Sequence, residues 1–185
     1  MCLGRYHKKK NFEFVIDVIN SIDKGWVLDN KIVFYFVGTN ISNLENYGKF
    51  KKQRFIKIID TQINNKDFRN FPSQKIINYY KNSDCFLMPS TLESFGNVLT
   101  EAMASSLPII SLRSPGCIDV LDNGKFGQIL KKNSPTELVY FIKRIVDDKF
   151  FRMNLVKKSK AGAKKYCVKS ISKQYSTFFK KIANV

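Results

Sequence analysis

Apolar and polar positions along the chain alternate between two periods. Phe12, Val15, Ile16, Ile19 and Ile22 recur at three- and four-residue spacing, which predicts a helix with one buried face. Before it, residues 1–4 read as the tail of an apolar strand whose beginning is missing. Residues 32–37 are a continuous apolar, β-branched run ended by Gly38, as in a central parallel strand covered on both faces. Further short strands are predicted over 55–59, 85–88, 108–112 and 127–130. Between them the pattern predicts helices over 42–51, over 73–82 with Ser73 as cap, and a short one over 118–121. Amphipathic helices over 134–147 and 149–166 follow, then a basic, aromatic one over 171–183. Strands alternating with helices imply an α/β chain with a Rossmann-like, doubly wound parallel sheet and C-terminal helices, a single domain over 1–185.

Composition narrows the setting more than the function. No apolar run reaches the ~18 residues of a membrane span and no secretory signal is visible. Cys2, Cys85, Cys117 and Cys167 lie far apart without metal-ligand spacing, which predicts reduced thiols and a cytoplasmic protein. The net charge of +17 would attract phosphates, an anionic membrane surface or nucleic acid. It does not choose among them, and lysines spread over solvated faces by compositional bias explain it equally well. No aromatic-interleaved nucleic-acid signature is present.

The chemistry concentrates in residues 89–107, PSTLESFGNVLTEAMASSL. They read as a strand end, a glycine-containing turn and a helix whose start faces outward, the arrangement with which α/β proteins hold phosphorylated ligands. Glu93 in the turn and Glu101 about one turn into the helix are eight positions apart. Both carboxylates can therefore meet a ligand lying across the helix N-terminus. His7, the only histidine, reads as a solvated loop residue.

GRYHKKKNF near the start, ESFGNVLTEAMASSLPII in the middle, SPGCIDVLDNGKFGQIL after it and the tail KKYCVKSISKQYSTFF together give the chain a family likeness. It resembles the C-terminal, nucleotide-sugar-binding half of the GT-B-fold retaining glycosyltransferases of group 1. The resemblance implies that Arg5 and Lys10, beside Gly4, hold the donor diphosphate, where a rigid fork and a point charge stabilise the leaving group. It implies that the amides at Gly96, Asn97 and Val98, after Phe95, open the helix to the phosphates or sugar. Glu101 would accept hydrogen bonds from the ribose hydroxyls. Glu93 would lie beside the donor sugar, and Gly116, in the turn 114–117, would be near it. Phe68, Arg69 and Phe71 fall where the family holds the nucleobase. Ser106 replaces a glycine usual before the next strand.

Paired carboxylates also occur in glycosidases, but a hydrolase needs no cationic diphosphate clamp. No DxD motif is present, so no metal is implied and no cofactor is expected besides a UDP-, GDP- or ADP-sugar donor. The acceptor, by this resemblance, is a glycan or glycolipid held by an N-terminal domain that this sequence lacks. Alone, the chain is then expected to be of lowered stability, because its central strand is shortened, and to transfer little. A fragment, a truncated product and one partner of a split enzyme with a separate acceptor-binding chain all fit. Two other readings stand beside the transferase: a silent nucleotide-binding or interaction module left from such an enzyme, and a basic peripheral protein acting through charge.

Overall fold

The computed structural model describes residues 1–61 and 72–183. Among the described residues six parallel strands form the sheet: β1 (Cys2–Leu3), β2 (Phe34–Gly38), β3 (Ile56–Asp60), β4 (Phe86–Met88), β5 (Ile109–Ser111) and β6 (Gln128–Ile129). Two ladders run in the orders β1-β2-β3 and β4-β5-β6. In register, Cys2 pairs with Phe36, Phe34 with Ile56, Phe86 with Ile109 and Ile110 with Gln128. They meet at β1 and β4: Leu87 N–H donates to the Met1 carbonyl at 2.8 Å and the Met1 amino group to the Cys85 carbonyl at 2.8 Å. The array therefore runs β3-β2-β1-β4-β5-β6, and the chain reverses its direction of travel between β1 and β4.

Alternation along the strands divides the apolar side chains between two cores. Cys2, Phe34, Phe36, Leu87 and Ile110 enter one, with α1 (Phe12–Ser21), α2 (Lys24–Asp29) and α6 (Pro135–Asp147) supplying Val15, Ile16, Val27, Leu138 and Ile142. Leu3, Val37, Phe86, Met88 and Ile109 enter the other. There α3 (Gln74–Lys81), α4 (Asn97–Ala104) and α5 (Pro115–Val120) supply Tyr80, Leu99, Met103 and Val120. Helices on both faces explain why the strands read as unbroken apolar runs. α7 (Lys149–Tyr166) contributes Leu155 to the first core and packs Ala163 and Tyr166 against the second. α8 (Val168–Ile182) buries no residue.

One local expectation is corrected, one is met in position only, and one helix is unanticipated. Residues 42–51 do not form the expected helix; a 3-10 helix, Ile41–Asn46, stands there. Its only buried residues, Ile41 and Leu44, are three apart, the repeat of a 3-10 helix. The Asp60 carboxylate ties its start to the end of β3, accepting from Asn40 N at 3.1 Å and Ser42 Oγ at 2.9 Å. Ser73 stands at the cap position of α3 but its hydroxyl makes no capping bond. The unanticipated α2 is started by Asp23, whose carboxylate accepts from Trp26 N at 2.5 Å.

Candidate active site

Where a parallel sheet reverses its winding, the loops leaving the two neighbouring strands diverge and leave a crevice at the strands' C-terminal ends. Here those loops follow β1 and β4, and they carry the predicted residues. The first is anchored by Gly4 N–H to the Val37 carbonyl (3.0 Å) and Tyr6 N–H to the Thr39 carbonyl (2.9 Å). It then forms a 3-10 turn, Lys8–Lys10, whose cap is His7: Nδ1 accepts from Lys9 N at 3.1 Å. His7 is exposed, as expected, yet shapes the turn that delivers Lys10, a role the sequence did not reveal.

The two loops are tied together. Thr91 N–H donates to the Lys9 carbonyl at 2.9 Å, and Asn11 Nδ2 to the Pro89 carbonyl at 3.2 Å. Above these bonds Lys10 Nζ donates to Glu93 Oε1 in an ion pair across the crevice. The pair is largely sheltered, with Lys10 24% and Glu93 12% exposed, so solvent screens it less than a surface pair. Arg5 is exposed in the same loop as Lys10.

Gly116 holds the far wall. A Cβ there would overlap the Glu93 carbonyl oxygen and lie 2.8 Å from the Ser94 carbonyl oxygen, so α5 can approach the turn only through a glycine. Its part in the site thus runs through the backbone of Glu93. Behind it, burial pushes the Cys117 thiol above its usual range, which keeps it protonated.

Gly96 caps α4 at φ +75°, a left-handed conformation that a glycine adopts without strain. Phe95 before it is half exposed and meets Tyr166 edge-on, with ring centroids 5.7 Å apart. The amides of Asn97 and Val98 are among those that helical bonding leaves free at a helix start, and they add positive potential there. Glu101 lies one turn in, half-buried, and is no ordinary surface glutamate. Its Oε2 accepts from the hydroxyl of Tyr80, a fully buried residue of α3, at 2.8 Å. Burial raises the Glu101 pKa above its ordinary value, and the Tyr80 bond opposes the rise. Tyr80 was missed because in sequence it is one apolar position of an amphipathic helix. Phe68, Arg69 and Phe71 lie outside the described residues.

The structure thus brings Lys10, Glu93 and Gly116 together, sets Glu101 on the helix that starts at the same turn, and leaves Arg5 exposed in the loop that bears Lys10. The pattern of the family described as glycosyl transferases group 1 matches residues 1–162. The chain belongs to that family. Among its relatives is a capsular polysaccharide biosynthesis glycosyltransferase, CapM, of Staphylococcus aureus, 29% identical over 157 residues, which cover 80% of this chain and 40% of CapM. The Anabaena protein HepE in complex with UDP-glucose superposes with a TM-score of 0.75 at 16% identity, over 97% of this chain and 48% of HepE. The C-terminal domain of a group 1 family protein, LpcC, of Francisella tularensis gives 0.68 at 18% identity, over 89% of this chain and 83% of that domain. The fold of this group 1 chain is therefore that of one half of a GT-B glycosyltransferase. The chain spans less than half the length of the curated relatives it matches. No helix among the described residues is long and apolar enough to cross a membrane.

Proposed function

We propose that this chain is the donor half of a glycosyltransferase that binds a nucleotide-diphosphate sugar and, with an acceptor-binding domain or partner chain, transfers the hexose with retention to a glycan or glycolipid. The observation that carries the reading is the Lys10–Glu93 pair, held across the crevice where the sheet reverses, with Glu101 one turn into the helix that starts there.

Each group has work in that reaction. As the bond from the anomeric carbon to the diphosphate breaks, charge grows on the departing phosphate; Lys10 and Arg5 stabilise it, helped by the helix-start amides of Gly96, Asn97 and Val98. Glu93, paired with Lys10, binds donor-sugar hydroxyls and stabilises positive charge at the anomeric carbon. The incoming acceptor hydroxyl forms its bond on the face the phosphate leaves, and its proton passes to a phosphate oxygen. Glu101 holds the ribose. No step requires a metal ion. HepE was crystallised with UDP-glucose and CapM is named for capsular polysaccharide, which support a nucleotide-sugar donor and a cell-surface glycan product.

Thermal unfolding with UDP-, GDP- and ADP-sugars tests the reading. A bound donor at ~100 times its dissociation constant adds about 2.7 kcal/mol of stability. Stabilisation by one of them, lost in Glu93→Ala and Lys10→Ala, is expected. No stabilisation by any nucleotide, with tight salt-sensitive binding to DNA or anionic vesicles instead, would overturn it.

A further inference from the structure

We infer that Tyr80 is a positioning residue of the donor site, which fixes the Glu101 carboxylate in one orientation toward the ribose. This rests on the donor-site reading above and adds to it the residue that sets ribose selectivity.

Three observations carry it. The Tyr80 hydroxyl has one proton, and it faces Glu101 Oε2 at 2.8 Å and the Val98 carbonyl at 3.2 Å. The shorter, charge-assisted contact takes the proton. The phenol thus also touches the first turn of α4, the turn that bears the free amides, and joins carboxylate and helix start in one unit. The ring itself cannot swing away. Tyr80 is 1% exposed, with its ring 5.8 Å from Phe86 in the core of the sheet face. Its neighbour Tyr79 packs partly buried against that same core.

The consequence is stereochemical. A free glutamate rotates about three bonds and can chelate two vicinal hydroxyls with both oxygens or turn to any nearby donor. Glu101 has one acceptor direction of Oε2 taken by Tyr80, which fixes the plane of the carboxylate, and among the described residues nothing donates to Oε1. The ribose hydroxyls are then read by a fixed acceptor, and a ligand lacking one of them leaves a half-buried carboxylate lone pair without a donor. That is the condition under which a site discriminates strongly. A glutamate without this anchor would bind ribose and deoxyribose forms with a smaller difference.

Titration calorimetry on the whole chain decides it, with UDP, GDP and ADP and the 2′-deoxy and 3′-deoxy forms of whichever binds. The unaltered chain should prefer the ribonucleotide over one deoxy form by about tenfold or more, the worth of one hydrogen bond to a charged group. Tyr80→Phe should weaken the ribonucleotide several-fold, leave that deoxy form nearly unchanged and so collapse the preference. In a Glu101→Gln background Tyr80→Phe should alter the preference no further. Equal weakening of both forms by Tyr80→Phe, or a preference that survives it, overturns the inference and leaves the donor site standing. If no nucleotide binds the unaltered chain, the donor site falls and this inference with it. Should Tyr80→Phe fail to fold, the Tyr80 hydroxyl proton of the unaltered chain serves instead. It should be visible by NMR as slowly exchanging with and without nucleotide, and its loss on binding would show that Tyr80 releases Glu101 and overturn the inference.

Discussion

α4 and α8 both show apolar residues on one side in the sequence, and the structure treats them in opposite ways. α4 buries Leu99, Ala102 and Met103 completely, against the sheet on one side and α7 on the other. α8 leaves Val168 82%, Phe178 57%, Phe179 61% and Ile182 65% exposed, and its aromatic residues stack mainly on one another. α4 carries Glu101 and begins at the glycine that shapes the crevice; α8 carries lysines and no carboxylate. Periodicity marks a face as apolar without naming what covers it. Only the sheet order, which brings β4 beside β1, makes one of these helices part of the folded core.

That contrast can be broken at several points. The largest effect is expected where α7 presses on α4. Gly162 is buried there, and a Cβ would overlap Met103 Sδ and lie 3.0 Å from Phe126 Cβ. Gly162→Leu should destabilise by about 3 kcal/mol, read from urea unfolding, because overpacking forces backbone shifts. Next is Gly116→Ala, which displaces the backbone of Glu93 and should cost about 1–2 kcal/mol and abolish nucleotide-dependent stabilisation.

A pH effect follows from Glu101. Its carboxyl is raised by burial, so as pH falls it takes up a proton before an ordinary glutamate does and loses the acceptor that ribose needs. Nucleotide affinity should therefore drop in a window above the ordinary value of 4.5. In that same window the unliganded chain gains stability, since the folded state binds the extra proton. Glu101→Gln should remove both trends, while changes in α8 leave them untouched.

Smaller still, Ser106 sits at φ +60° just after α4, a left-handed conformation that glycine adopts without strain. Ser106→Gly should stabilise by about 0.5–1 kcal/mol in thermal melts. The smallest effect belongs to α8. Ending the chain at Cys167 should shift stability by less than about 1 kcal/mol, because so little surface is withdrawn from water there. A loss comparable to that of Gly162→Leu would show that α8 is part of the core after all.

Much of this was readable beforehand, for physical reasons. Strands covered on both faces announce themselves as apolar runs, and a strand–turn–helix with two carboxylates around a glycine is a local pattern. β2, β4, α1 and α4 follow from those; the pairing of Lys10 with Glu93 across the crevice does not. What stayed hidden depends on distant partners. Asp60 draws residues 41–46 into a tighter helix from the end of another strand. Tyr80 reaches Glu101 from 21 positions away, and Gly116 is needed only because the turn bearing Glu93 lies against it. His7 shows the intermediate case, a residue correctly placed in solvent whose bond to Lys9 N is nonetheless structural.

The bonds by which Met1 joins β1 to Cys85 and Leu87 have a mechanical meaning. They are the seam between two three-stranded ladders, and the crevice opens directly over it. A molecule gripped by Lys10 at one end and Glu101 at the other would lie across the seam like a suture. Occupancy would then be felt by the sheet as tension-bearing continuity, binding the two halves of the domain into one cooperative unit.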